Sequence, residues 1–143
     1  RYVKNAATPL GVILVQYIKN LRLRFENFII VPVPLFKKRL RLRGFNQSEL
    51  IARELADYLN LPVETNALAR VKNTRPQSET KNINERRKNV ENCFAVTSPE
   101  LILKKNILLI DDVATSGTTL LEAAKALKTA GARRIIAFVV ARA

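Results

Sequence analysis

Hydrophobic positions along the chain alternate between two spacings. Leu10, Ile13, Leu14, Tyr17, Ile18 and Leu21 recur three and four apart, as one face of a helix does, with Thr8 as N-cap and Pro9 as first helical residue. Phe28–Val33 is a short unbroken apolar run, the mark of a strand covered on both faces. Pro32 and Pro34 end its ladder. Asn46, with Glu49 three residues on, predicts a capping box. The helix it opens runs to about Asn60, burying Leu50, Ile51, Leu55 and Leu59 until Leu61-Pro62 closes it. A strand is expected near Ala67–Val71, Phe94–Val96 returns to apolar residues, and Ser98-Pro99-Glu100 starts a turn. Ile107–Ile110 is another buried strand, followed at helical spacing by Leu120, Leu121, Ala124 and Leu127 up to Gly131. Ile135–Val140 is the last buried strand. Strands alternating with helices predict an α/β fold, a parallel sheet flanked by helices, here as a single domain.

The polar positions between these elements carry the chemistry. Asp111 and Asp112 follow the Ile107–Ile110 strand, and a small-residue loop follows them: Val113, Ala114, Thr115, Ser116, Gly117, Thr118, Thr119. Ligands of open parallel sheets bind beyond the carboxyl ends of the strands. Backbone N–H groups of such a loop, and the helix start behind it, favour an anion. Gly117 permits close approach, and the hydroxyls add donors. A phosphate monoester fits the loop. The aspartates would repel that phosphate, so they call for a diol, or a diol with bound Mg²⁺. Neither a P-loop nor the Gly-rich dinucleotide fingerprint is present.

Charge sharpens this picture. The net charge is +13, and two stretches supply +10 of it. Leu35–Arg43 has five basic residues and no acid, and Arg70–Val90 has seven basic residues and two acids. Concentration of this kind predicts a polyanionic partner, a pyrophosphate or a nucleic acid. Arg41 and Arg43 alternate with Leu40 and Leu42, as in an extended segment, so Arg39, Arg41 and Arg43 are expected in one row facing DNA phosphates. Thr74–Asn89 is almost entirely polar, which predicts a lid that is mobile when the site is empty.

Composition excludes several classes. With no histidine, Ser-His-Asp and Cys-His mechanisms are ruled out, and with one cysteine so is an internal disulfide. The single Cys93 fits a reducing compartment, so the expected location is cytoplasmic. No apolar run reaches membrane-spanning length, and no membrane insertion is expected. The absence of methionine and the start at Arg1 predict a fragment lacking an N-terminal part.

The strand, acidic pair and TSGTT loop resemble the motif of type I phosphoribosyltransferases that binds phosphoribosyl pyrophosphate (PRPP). The resemblance implies that Asp111 and Asp112 hold the ribose hydroxyls and that residues 113–119 hold the 5-phosphate. A second segment, VPVPLFKKRLRLRGFNQ at Val31–Gln47, resembles the ComF family, as do Arg70, Thr74, Gln77, Arg86, Asn89 and Phe94 in that order. This implies a phosphoribosyltransferase-type fold and an association with DNA uptake in natural transformation. It also implies PRPP or ribose 5-phosphate as ligand, with Mg²⁺ bound alongside. Single-stranded DNA and competence DNA-translocation proteins are the further partners it implies. Two departures stand out. ComF-like proteins usually carry a cysteine-rich zinc-binding segment that is absent here, and Thr80 stands where relatives often have leucine.

Two functions follow. As an enzyme, the domain would transfer the ribose 5-phosphate of PRPP to a nitrogen nucleophile, releasing pyrophosphate. Asp111 and Asp112 then act at the ribose. Lys37, Lys38 and Arg39 stabilise the pyrophosphate, and the lid residues Arg70, Thr74, Gln77, Arg86 and Asn89 exclude water. As a non-catalytic module, it would keep the pocket and bind single-stranded DNA, although few aromatics are present for base stacking.

Overall fold

The structure is a computed structural model that describes residues 7–73 and 82–143. Its elements in order are α1 (Ala7–Asn20), β1 (Phe28–Pro32), α2 (Lys37–Arg43), α3 (Gln47–Leu59), β2 (Leu68–Arg70), α4 (Ile83–Val90), β3 (Phe94–Val96), a 3₁₀ turn (Pro99–Leu101), β4 (Asn106–Ala114), α5 (Thr118–Thr129) and β5 (Arg134–Arg142).

Among the described residues, β1, β4 and β5 form a parallel sheet in the order β1-β4-β5. Its centre, β4, is apolar over four consecutive residues because both of its faces are covered. Side chains alternate along a strand, and the alternation sorts them into two cores. Ile29, Val31, Ile107 and Leu109 join Ala123 and Leu127 of α5, together with Leu68 and Phe94. Phe28, Ile30, Leu108 and Ile110 join Leu14 and Ile18 of α1, and Ile51, Ala52 and Leu55 of α3. Full burial of a Leu or Ile contributes about 1.5–3 kcal/mol, so these two layers hold the sheet between its helices. Gly11 lets α1 approach α3 closely, since a Cβ there would lie 2.5 Å from Glu54 Oε2.

The parallel α/β expectation holds, and several local expectations change. The segment after β1 is not extended. Residues 37–43 form α2, which buries no residue and ends at Gly44 in the left-handed region, φ 79°. In a helix, residues 39 and 43 share one side while 37, 38 and 41 share the other. The expected row of Arg39, Arg41 and Arg43 therefore does not form. β2 and β3 pair antiparallel as a separate two-stranded sheet outside the parallel one. The polar stretch expected to be a lid contains α4, capped by the Asn82 side chain, which accepts from Glu85 N–H. Thr74, Gln77 and Thr80 lie outside the described residues, as do the side chains of Arg86 and Asn89.

At the N-terminus, α1 already includes Ala7, so Pro9 sits within its first turn rather than opening it. Of the face read as core, Leu14 and Ile18 are buried but Ile13 and Tyr17 are more than half exposed. β5 is also less covered than its apolar run suggests. Only Phe138 is buried in it, because it forms an edge of the sheet. The capping box is half made. Asn46 caps α3 through Ser48 N–H, but Glu49 instead pairs with Arg53 at 2.8 Å. Asn60, in the left-handed conformation, closes that helix before Leu61-Pro62 is reached. No helix among the described residues is long and apolar enough to cross a membrane.

Candidate PRPP site

β4 does not stop at Ile110. It continues through Asp111 and Asp112 to Ala114, so the ladder itself holds the acidic pair in place. The chain then bends over 115–117, and α5 begins at Thr118. Gly117 is the N-cap, with φ 77°, a conformation that costs glycine little. A Cβ added there meets nothing within 4 Å, so the space beside this loop is open.

The start of α3 lies against this strand end. Its cap residue Asn46 donates from Nδ2 to the Val33 carbonyl at 3.0 Å, which ties the helix start to the end of β1. Its Oδ1 accepts from Ser48 N–H at 3.1 Å. Ser48 Oγ donates to Asp111 Oδ1 at 3.1 Å and accepts from Asp112 N–H at the same distance. One serine thus joins α3 to both members of the acidic pair. Nothing in the hydrophobic pattern announces it. Its neighbours in the RGFNQ segment were the only signal.

Asp111 is 7% exposed. Burial pushes its carboxyl up from 3.8 to about 7, and the neighbouring Asp112 charge pushes it the same way. The Ser48 hydrogen bond opposes the rise. Ser48→Ala should therefore move the Asp111 titration further upward, which carboxyl NMR would read directly. No change on loss of the hydroxyl would mean that this bond does not form in solution.

One cavity collects these groups. It is lined by the ends of β1 and β4, the loop after β4, the start of α3, Arg39 and Arg43 of α2, and Arg70 of β2. Arg70 is brought there by the small antiparallel sheet, where it pairs with Phe94 in register and its guanidinium lies 5.4 Å from that ring's centre. Of the loop, Val113, Ala114, Thr115, Gly117 and Thr119 line the cavity, whereas Ser116 and Thr118 do not. Those two hydroxyls lie 2.9 Å apart and hydrogen-bond to each other. Of the three cations expected at a pyrophosphate, Arg39 lines the cavity and Lys37 and Lys38 do not. Arg43, expected on DNA, lines it, while Arg41 stays outside. The reason is the helical turn of α2, which puts 39 and 43 together.

The donor set suits Mg²⁺. Adjacent carboxylates are oxygen ligands of the kind this ion takes, used one or two at a time together with ligand phosphates. A carboxyl that burial, with a neighbouring carboxylate, raises to about 7 is relieved by a cation or by hydroxyl donors.

Comparisons with known proteins agree with this fold. Residues 46–143 match the phosphoribosyl transferase domain family. "Competence protein F" of Haemophilus influenzae is 38% identical over 80% of this chain and 50% of its own length. "DNA utilization protein YhgH" of Escherichia coli O157:H7 is 33% identical over 74% of this chain and 45% of its own. The chain thus spans about half the length of these curated relatives. A glutamine PRPP amidotransferase from B. subtilis superposes with a TM-score of 0.60 at 18% identity, over 94% of this chain and 26% of that one. Because the match at residues 46–143 covers more than half of the chain, the chain belongs to the phosphoribosyl transferase domain family.

Proposed function

We propose that this chain is the PRPP-binding, phosphoribosyltransferase-type domain of a ComF-like protein associated with DNA uptake, working in the cytoplasm. One observation carries the reading: a single cavity holds an acidic pair, a glycine-centred loop at a helix start and three arginines. Each serves a different part of PRPP. Asp111 and Asp112 accept from the ribose hydroxyls. The loop from Val113 to Thr119 and the start of α5 hold the 5-phosphate through N–H groups and the helix dipole. Arg39 and Arg43 meet the pyrophosphate with charge-assisted hydrogen bonds. Asp111 and Asp112 would hold Mg²⁺, which would supply positive charge to offset that of the pyrophosphate. Transfer from such a ligand needs positioning and charge stabilisation more than a covalent nucleophile, which suits a chain without histidine.

The deciding experiment is calorimetric titration with PRPP and Mg²⁺, using ribose 5-phosphate as control and then a panel of nucleobases. Saturable PRPP binding supports the reading. Product formed with one of the bases makes the domain an enzyme. No binding at millimolar PRPP overturns it.

A second reading, contact with single-stranded DNA, is favoured by the outer side of α2. Lys37, Lys38 and Arg41 are exposed there and stand off the cavity. Contacts to single-strand phosphates give a log–log salt slope of about −0.7 each. Replacing these three with Ala should flatten the slope by about two units and leave PRPP affinity unchanged. Arg39→Ala with Arg43→Ala should do the opposite. Oligonucleotide binding that ignores salt, or persists in the triple variant, removes DNA contact from α2.

A further inference from the structure

The first turn of α3 contains one polar side chain that the fold leaves unused. Gln47 is 2% exposed, yet neither its Nε2 nor its Oε1 has a hydrogen-bond partner among the described residues. Its neighbours are in the opposite condition. Asn46 is committed to Val33 and to Ser48 N–H. The Ser48 hydroxyl is committed to Asp111 and to Asp112 N–H. A primary amide offers two donors and an acceptor, and burying them unpaired carries a desolvation penalty that no partner among the described residues offsets. A glutamine at the first position of a helix is ordinarily a surface residue. Here it lines the same cavity as Arg39 and Arg43, in the helix turn whose Ser48 bonds the acidic pair.

We infer that Gln47 is a ligand-binding residue whose side-chain amide is paired only when the cavity is filled, and that its Nε2–H groups donate to the pyrophosphate of PRPP. The pyrophosphate is the part of the ligand that fits. The ribose hydroxyls have Asp111 and Asp112 as acceptors, and the 5-phosphate has the loop before α5. The start of a 13-residue helix adds its dipole to the same anion. Oε1 remains available to a hydroxyl of the ligand or to a water it carries. This inference rests on the PRPP reading and adds to it a recognition element for the leaving group.

Gln47→Met tests it, since methionine keeps the length and approximate volume and removes both polar groups. The inference predicts opposite signs for stability and binding. The ligand-free variant should melt higher than wild type, because the unpaired amide is gone. Its affinity for PRPP with Mg²⁺ should fall about tenfold, the loss expected of one hydrogen bond to a charged group. Pyrophosphate with Mg²⁺ should weaken in parallel, and ribose 5-phosphate should bind within twofold of wild type. Gln47→Glu, which places a like charge by the leaving group, should weaken PRPP further still. A Gln47→Met protein that binds PRPP as wild type does, or loses stability without selective loss of pyrophosphate, overturns the inference. Equal weakening of ribose 5-phosphate would move the contact to the sugar and overturn the pyrophosphate assignment. Wild-type protein that fails to bind PRPP overturns the underlying reading, which separates the two failures.

Discussion

Replacing Asp111 and Asp112 together with Asn should lower PRPP affinity at least tenfold. The cavity places both carboxylates at the carboxyl end of β4, where a ribose diol would donate to them. Hydrogen bonds to charged acceptors are worth about 1.5–3 kcal/mol each, and about 1.4 kcal/mol is a factor of ten. Loss of two such bonds therefore makes tenfold a lower bound. The substitutions keep shape, so the fold should survive, and circular dichroism would confirm it. Oligonucleotide affinity should not fall, since neither acid is expected to touch DNA. PRPP binding at wild-type strength in the double variant would remove the acids from the site.

Asp111→Asn alone should make the ligand-free protein more stable at pH 8, and should remove a pH dependence that wild type shows. The folded-state carboxyl titrates near 7 against an ordinary 3.8, because it is buried and faces Asp112. Between these values the folded protein holds a proton that the unfolded chain has released. Wild-type stability is therefore greatest below about pH 4 as far as this group is concerned, and is lost as pH rises through 7. The full difference corresponds to on the order of 4 kcal/mol. For a chain of this size each kcal/mol moves Tm by about 3 °C. Asn keeps an acceptor for the Ser48 hydroxyl and for Asp112 N–H, which bond Oδ1 in the wild type. The measurement is unusually clean, since the chain has no histidine to titrate in the same window. Thermal melts from pH 5 to 8 should lie closer together at the acid end and separate further at the alkaline end, with Asp111→Asn higher. Parallel curves would mean that Asp111 is ionised without cost.

The two expectations together describe a site that stores instability for a ligand to relieve. Asp111 and Gln47 carry it in different forms, one as charge and the other as unpaired hydrogen-bonding capacity. Bound hydroxyls, a cation and a phosphate oxygen would satisfy both. That is the usual relation between strained groups and function.

Much of this was legible in the chain itself. A run such as Ile107–Ile110 reports burial on both faces whatever the neighbours are, so the parallel sheet was readable. Asp111-Asp112 followed by a glycine-bearing loop marked the strand end at which the cavity lies. The conformation of residues 37–43 was not readable. Alternation of Leu with Arg suits an extended segment, but with no core to meet it the backbone satisfies its own hydrogen bonds as α2, and the pairing of cations changes from every second residue to every fourth. The exposure of Ile13 and Tyr17 and the edge position of β5 were likewise decided by which elements lie beside them. Local periodicity states that a face can be buried, and only packing states whether it is. Tertiary structure alone placed Arg70, Arg39 and Arg43 around one cavity, set Ser48 between two aspartates, and left Gln47 buried without a partner among the described residues. Those are relations between residues far apart in the chain, and no spacing rule reaches them.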